Sequence, residues 1–345
     1  MDKIKRYIEC YVPITTCNIQ CHYCYITRQG KWKDELIHLT RTPKEVAIAL
    51  SRKRLGGTCL INLCAGGETL LCAELPDIIR ALLEEGHYVM VVNNGTVRKA
   101  LEKIASFPKE LLNHLIFKFS YHYLEHHRLG LTEHFFGNIK MMRDAGCSFT
   151  LEITPNDEVV EHIPAIMEEA RKYLGALCHV TIARDDTADG IPILTNMSEE
   201  DFYKTWEQFD SGLFDFKRTI FGKYQNHFCY AGEWSVYVNI ETGEMTQCYE
   251  GRRLDNIYAN PDKPLHFEAM GCRCKTPHCY NGHAFLSLGD MPDLDTPCYA
   301  SLRNRTDEQG NTWLTEDMEN FLSGKLGDSN KEYSAIKKWI VNRKK

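Results

Sequence analysis

Apolar positions along this chain alternate between two periods. The runs "YIECYVPI" (7–14), "CLINLC" (59–64), "YVMVVN" (88–93), "LIFKFS" (115–120), "SFTLEI" (148–153) and "CHVTIA" (178–183) are rich in β-branched and aromatic residues and read as strands. Between them, "PKEVAIALSRKR", "LPDIIRALLEE", "TVRKALEKIA", "FFGNIKMMRDA" and "IPAIMEEARKYL" repeat apolar residues at i, i+3, i+4 and i+7, and glycines follow several of them as helix stops. Strand alternating with helix from residue 7 to about residue 185 predicts right-handed crossovers and a parallel α/β sheet. Six such units are fewer than a closed eight-stranded barrel needs, so a partial barrel and an open doubly wound sheet both fit.

Parallel α/β folds place their chemistry at the carboxyl ends of the strands. After the first strand comes "CNIQCHYCY" (17–25), after the second "AGGET", after the third "NNGT" and after the fourth "SYHYLEHH"; the fifth runs into "ITPND" and the sixth into "ARDDTADG". The polar and glycine-rich clusters are therefore expected on one rim. Residues 186–222 read as a polar connection with the helix "SEEDFYKTWEQF", after which the texture changes to short strands, with "ETGE" inside "WSVYVNIETGEMTQCY" as a hairpin turn. The last segment, ending "KEYSAIKKWIVNRKK", is expected to form a helix packed by Ile336, Trp339 and Ile340. The organisation read from this is a core at 1–215, a cysteine-rich module at 216–305 and a helical tail at 306–345.

Composition narrows the classes. At 345 residues, 43% hydrophobic and 26% charged, the chain has an ordinary globular balance. Its net charge of −6, with scattered basic residues, argues against a nucleic-acid backbone as partner. The opening "MDKIKRYIEC" has no signal-peptide pattern, and no apolar run approaches the ~18 residues of a membrane span. A cytoplasmic protein without a membrane partner is expected. In a reducing compartment its 15 cysteines read as ligands where they cluster and as small buried hydrophobes where they stand singly, as do Cys10, Cys59, Cys64, Cys72, Cys147 and Cys178.

The trio Cys17, Cys21 and Cys24 is one thiolate short of a structural zinc site or an all-cysteine iron–sulfur site, and so leaves one metal position open. His22, a possible fourth ligand, is the immediate neighbour of Cys21 and competes for the same loop. With Tyr23 before the third cysteine, the trio resembles the signature of the radical S-adenosylmethionine (SAM) enzymes; "GGET" resembles their GGE motif and "NNGT" their asparagine–glycine turn. The likeness covers roughly residues 7–185 and implies the six-strand partial (β/α)6 TIM-like barrel of that superfamily. It also implies a [4Fe–4S] cluster on Cys17, Cys21 and Cys24 that chelates and reductively cleaves SAM to a 5′-deoxyadenosyl radical. By position, Gly66, Gly67 and Glu68 would meet the methionine end of SAM and Tyr23 the adenine. Asn93, Asn94 and Gly95 would border the nucleoside, Ser120 the ribose, and Glu152 and Arg184 the ribose hydroxyls or the carboxylate.

Cys229 and Cys248, joined through a hairpin with Gly243, resemble the first half of the SPASM and twitch modules that carry auxiliary iron–sulfur clusters. The second half departs from the pattern, with Cys272-x-Cys274-x4-Cys279 and then Cys298. One auxiliary [4Fe–4S] cluster is expected, completed by two of these four, while His278 and His283 leave a zinc site open. An auxiliary cluster points to oxidation, for which Tyr121, His122, Asp185, Asp186 and Glu233 are candidate bases on the rim. The resemblance implies a peptide, protein or small-molecule substrate, the peptide or protein first, and an electron donor such as flavodoxin or ferredoxin. Because the first strand begins by residue 7, the leader-binding domain of many peptide-maturing relatives is not expected. A non-catalytic iron–sulfur or zinc protein is the alternative from another class, against which the Gly66-Gly67-Glu68 motif argues.

Overall fold

The computed structural model describes residues 2–343; Met1 and the last two lysines of the expected tail lie outside them. Six parallel strands follow the sequence pattern: β1 (Arg6–Val12), β2 (Cys59–Ala65), β3 (Tyr88–Asn93), β4 (Leu115–Tyr121), β5 (Ser148–Ile153) and β6 (His179–Val180). Helices Pro43–Ala49, Leu75–Glu84, Arg98–Ala105, Thr132–Ala145 and Ile163–Leu174 lie between them. The sixth strand is shorter than its apolar run because it is the sheet's edge and pairs on one side only, through Glu152 with His179 and Ile153 with Val180.

Local chemistry explains the helix boundaries. Thr42 and Glu45 form a reciprocal capping box, with Pro43 at the first helical position, so the orphan N–H groups of helix Pro43–Ala49 are satisfied. Helix Ile163–Leu174 stops at Gly175, whose left-handed φ of 71° would strain any residue with a Cβ.

Alternation along the strands divides the core in two. Ile8, Cys10, Val12, Ile61, Leu63, Val89, Val91, Phe117 and Phe119 point to one face, where they pack on Val46, Ile78, Leu82, Leu101, Ile139 and Ile166 of the crossover helices. Tyr7, Leu60, Tyr88, Met90 and Ile116 point to the other, where Phe285, Leu288, Tyr299, Leu314, Met318 and Phe321 cover them. The Tyr88 and Phe321 rings stack at 3.6 Å. Connecting helices thus cover one face and the C-terminal third the opposite one, which is the partial TIM-like barrel and not the doubly wound sheet.

The C-terminal strands continue the same sheet. β7 (Ser235–Asn239) pairs in parallel with β1, β8 (Glu244–Thr246) returns antiparallel across the expected hairpin, and β9 (Arg253–Asn256) follows, giving the order β6-β5-β4-β3-β2-β1-β7-β8-β9. The expected tail helix forms at Ala335–Arg343, but Ile336, Trp339 and Ile340 are exposed at 74%, 55% and 45%, and Val341 is the buried residue. The packing face is therefore offset from the bulkiest apolar residues.

Candidate active site

The cysteine loop leaves the end of β1 and turns back where Cys24 N–H donates to the Cys21 carbonyl at 3.1 Å, just before helix Tyr25–Arg28. All three thiols are free. Burial pushes Cys17 up to about 11 and Cys21 up to about 12, and each of these two is raised further by the Cys24 charge, so the three sulfurs share one neighbourhood. His22 is half-exposed and lies 3.3 Å from Glu158, paired outside the trio.

The loops after β1, β2 and β3 are tied together. Gly67 N–H donates to the Ile14 carbonyl at 2.7 Å and Glu68 N–H to the Thr16 carbonyl at 2.9 Å. The two backbones lie so close that a Cβ on Gly67 would stand 2.0 Å from the Thr16 oxygen. Glu68 is 2% exposed, and its carboxylate accepts the Leu70 N–H at 2.8 Å and the Asn94 N–H at 2.7 Å. The Asn94 side chain donates to Asn18 Oδ1 at 2.9 Å and lies 3.7 Å from Cys17 Sγ. Burial drives the Glu68 carboxyl up to about 7 against the two N–H donors that hold it down. Among the described residues no cation pairs with it, so the site is a buried carboxylate whose charge is only partly compensated.

Other expected contacts divide by strand face. Tyr23 Oη is 2.6 Å from His122 Nδ1, and Ser120 lies opposite Glu152 in the β4–β5 register. Glu152 is 3% exposed and committed to two cations, Lys118 Nζ at 3.0 Å and Arg303, so a role at the SAM ribose would require breaking an ion pair. Arg184 lies 3.5 Å from Asp186 and donates to the Tyr280 carbonyl at 2.8 Å.

The candidate rim bases lie in different surroundings. Tyr121 points to the helix side with Phe117 and Phe119; it is 1% exposed, stacks on Phe135 and donates to Glu169. The pleat that turns Ser120 inward turns Tyr121 outward. Glu233 accepts from Tyr333 Oη at 2.5 Å, and its backbone carbonyl meets Arg6 at the opposite end of β1, away from the rim. Asp185 accepts from Thr187 and pairs with Arg28 at 3.0 Å, which holds its carboxyl below the ordinary range and makes it a weak base. Asp186 is the ion-pair partner of Arg184.

The sequence model of the radical SAM superfamily matches residues 11–170, the stretch that carries the end of β1, the cysteine loop, both glycine turns and β2 to β5. The chain carries a radical SAM superfamily domain. That domain implies SAM and a [4Fe–4S] cluster, and three free cysteines beside a buried, partly compensated carboxylate suit that pair in donor number and charge. Among the described residues no three Cys, His, Asp or Glu side chains gather closely enough for a single metal ion. An 80-residue stretch is 32% identical to an S-adenosylmethionine-dependent nucleotide dehydratase of Lacinutrix mariniflava, covering 23% of this chain and 17% of that protein. Across folds, Streptococcus suis SuiB aligns at a TM-score of 0.52, and at 0.53 in its S-adenosylmethionine-bound form. Both alignments have 12% identity and cover 76% of this chain and 67% of SuiB, a likeness of fold.

The radical SAM core is followed by the second cysteine group. The Cys229 thiol is pushed up by burial and then by Asp290, Cys279 and Cys248, while Cys279 feels Cys248, Cys274 and Asp290 after its own burial. Cys229, Cys248, Cys274 and Cys279 also border one hydrophobic cluster. Cys272 is exposed, with its N–H on Asn342, and Cys298 is absent from that cluster, although it borders a second one beside Cys248 and Cys279. Asp290, missed in the sequence, is fully buried and accepts from Ser235 at 2.6 Å, and burial drives it up to about 7. Also missed were Glu9, Lys118, Lys217 and Arg303. Glu9 and Lys118 left a signal, each as a charge at an inward position of an otherwise apolar strand.

Proposed function

We propose that this chain is a radical SAM oxidoreductase acting first on a peptide or protein side chain. When bound, the cluster and SAM supply a 5′-deoxyadenosyl radical that takes a hydrogen atom from the substrate. Cys17, Cys21 and Cys24 would hold the cluster, Gly66, Gly67 and Glu68 the methionine end of SAM, and Tyr23, Asn94 and Ser120 the nucleoside. The observation that carries this reading is the latch in which Glu68 holds the Asn94 backbone while Asn94 holds the cysteine loop. An ammonium group beside Glu68 would complete the compensation that two N–H donors leave partial, favouring the ionised carboxylate. The bare backbone at Gly67 keeps the turn in contact with the cysteine loop.

The four cysteines Cys229, Cys248, Cys274 and Cys279 are proposed as ligands of one auxiliary [4Fe–4S] cluster that accepts an electron from the substrate. A protein such as flavodoxin or ferredoxin would supply the electron to the first cluster. A second reading, a nucleotide- or sugar-type small molecule as substrate, is favoured by the charged interior of the sheet's concave face, where Lys118 and Arg303 share Glu152.

The test is anaerobic. The reconstituted protein, given SAM and dithionite, should release 5′-deoxyadenosine, and a variant with Cys17, Cys21 and Cys24 all replaced by Ala should release none while retaining about four irons per chain. A fully loaded wild type that releases no deoxyadenosine would refute the catalytic reading. Residual zinc in place of iron would remove the electron-accepting role of the second group.

A further inference from the structure

The concave side of the sheet holds more cations than the carboxylates beside them can neutralise. Lys118 on β4 and Arg303 share the single carboxylate of Glu152. Arg184 has Asp186. Lys217, from helix Gly212–Ile220, donates to the Thr181 hydroxyl, and among the described residues it forms no ion pair. The other interior carboxylate, Glu9, is occupied by neutral donors: Tyr7, Asn62 at 2.8 Å and Asn281 at 3.0 Å. His283, on helix Gly282–Phe285, has a buried Nδ1 with no hydrogen-bond partner among the described residues.

The contacts draw these groups together. Lys217 reaches Thr181, next to the β6 residues paired with Glu152 and Ile153. Arg184 donates to the Tyr280 carbonyl at 2.8 Å, three residues before His283, and helix Gly212–Ile220 packs on helix Gly282–Phe285. Burial lowers Lys217 well below its ordinary range, and the charges of Lys118 and Arg184 lower it further. His283 is lowered by burial and then by Lys217, Lys118 and Arg184. Lys118 falls to about 8, by burial and then by Arg303. Gathering like charges away from water is unfavourable unless an anion completes the set. The groups come from β4, the segment after β6, and two helices that meet only in the folded chain.

We infer that Lys118, Lys217, Arg184 and His283 form a subsite for an anionic oxygen group of the substrate, a phosphate or a carboxylate. The inference rests on the reading of this concave face as the substrate side of a radical SAM enzyme. Two lysines and a forked guanidinium suit either group, and the His283 ring nitrogen adds a further polar contact. A free phosphate ester and an acidic side chain present the same oxygens, and the probes separate them.

The experiment uses the full, anaerobically reconstituted chain, first without SAM and then saturated with it, titrated by calorimetry with inorganic phosphate and, separately, with succinate. One saturable anion per chain is expected, with the stronger of the two probes naming the group. Lys217→Gln should weaken binding roughly tenfold, as loss of a charged hydrogen-bond partner does. Lys217→Arg should retain it, and the exposed Lys53→Gln should leave it unchanged. Circular dichroism and iron content confirm that each variant is folded, and His283→Gln, weaker than wild type, gives a second removal if Lys217→Gln does not fold. No saturable binding, equal binding by Lys217→Gln, or loss of binding on saturation with SAM would overturn the subsite, the last by assigning these cations to the SAM carboxylate. Deoxyadenosine release is measured on the same wild-type preparation. Its absence with anion binding intact refutes the radical SAM activity and leaves the subsite standing.

Discussion

The Glu68 carboxylate accepts the backbone N–H of Asn94 at 2.7 Å, joining the turn after β2 to the turn after β3 in a site where Glu68 is 2% exposed. Asn94 carries the connection on to Asn18 in the cysteine loop. One buried carboxylate thus sets the relative position of three loops.

That carboxylate gives SAM binding a pH dependence. Its folded pKa of about 7 lies above the ordinary 4.5, so in the unliganded protein it is mostly protonated below 7, whereas an ammonium favours the ionised form. SAM affinity should rise as pH rises through about 7, and the stability this group lends the unliganded fold should be present below 4.5 and be lost on the way to about 7. Glu68→Gln should weaken SAM binding roughly ten- to a hundredfold and flatten its pH profile, as equilibrium dialysis on both sides of neutrality will show.

Gly67→Ala should damage the site through the backbone. The new methyl would stand 2.0 Å from the Thr16 oxygen, a contact that only backbone movement relieves. A loss of roughly 1–3 kcal/mol of stability is expected, read from denaturant midpoints, together with reduced iron at the first cluster.

The second cysteine group makes a sharp distinction. Cys229→Ala, Cys248→Ala, Cys274→Ala and Cys279→Ala should each lower the iron content and change the spectrum of the residual cluster in a chain that already lacks the first trio. Cys272→Ala and Cys298→Ala should not, since Cys272 is exposed and Cys298 lies outside the one cluster that all four of the others border. An unchanged iron count in the first four variants would refute the assignment.

His87 is a pH-sensitive structural group. Its Nδ1 accepts the Cys59 N–H at 3.1 Å and its Nε2–H donates to the Leu50 carbonyl at 2.8 Å, so the neutral ring is required. Burial lowers its pKa from 6.5 to about 4. Its contribution, up to about 3 kcal/mol, is present above 6.5 and is lost as pH falls through about 4. His87→Gln should lower the melting temperature near neutrality and reduce its dependence on pH across that window, as thermal denaturation will show.

The last helix provides a contrast. Ile336→Ser should change stability by less than about 0.5 kcal/mol, because Ile336 is already 74% exposed. Val341→Ser, at 2% exposure, should cost roughly 1–3 kcal/mol in chemical denaturation.

Local pattern determined much of this protein. Period-two runs placed β1 to β5 within about two residues of their observed ends, because the pleat turns alternate residues to opposite faces wherever a strand lies in the sheet. Cysteine spacing and the glycine turns brought the three loops of the site to one rim before any contact was known. What lay beyond local reach was set by pairings between distant residues. β7 joins β1 in parallel, so the C-terminal strands extend the barrel sheet, and Arg303 meets Glu152 across 151 residues. The same folding turned Tyr121 away from the rim, exposed Ile336 and Trp339, drew four of six C-terminal cysteines together and brought Lys118 to Lys217. Periodicity specifies which side of its own element a residue occupies, whereas the charges and thiols it meets depend on tertiary packing of segments far apart in the chain.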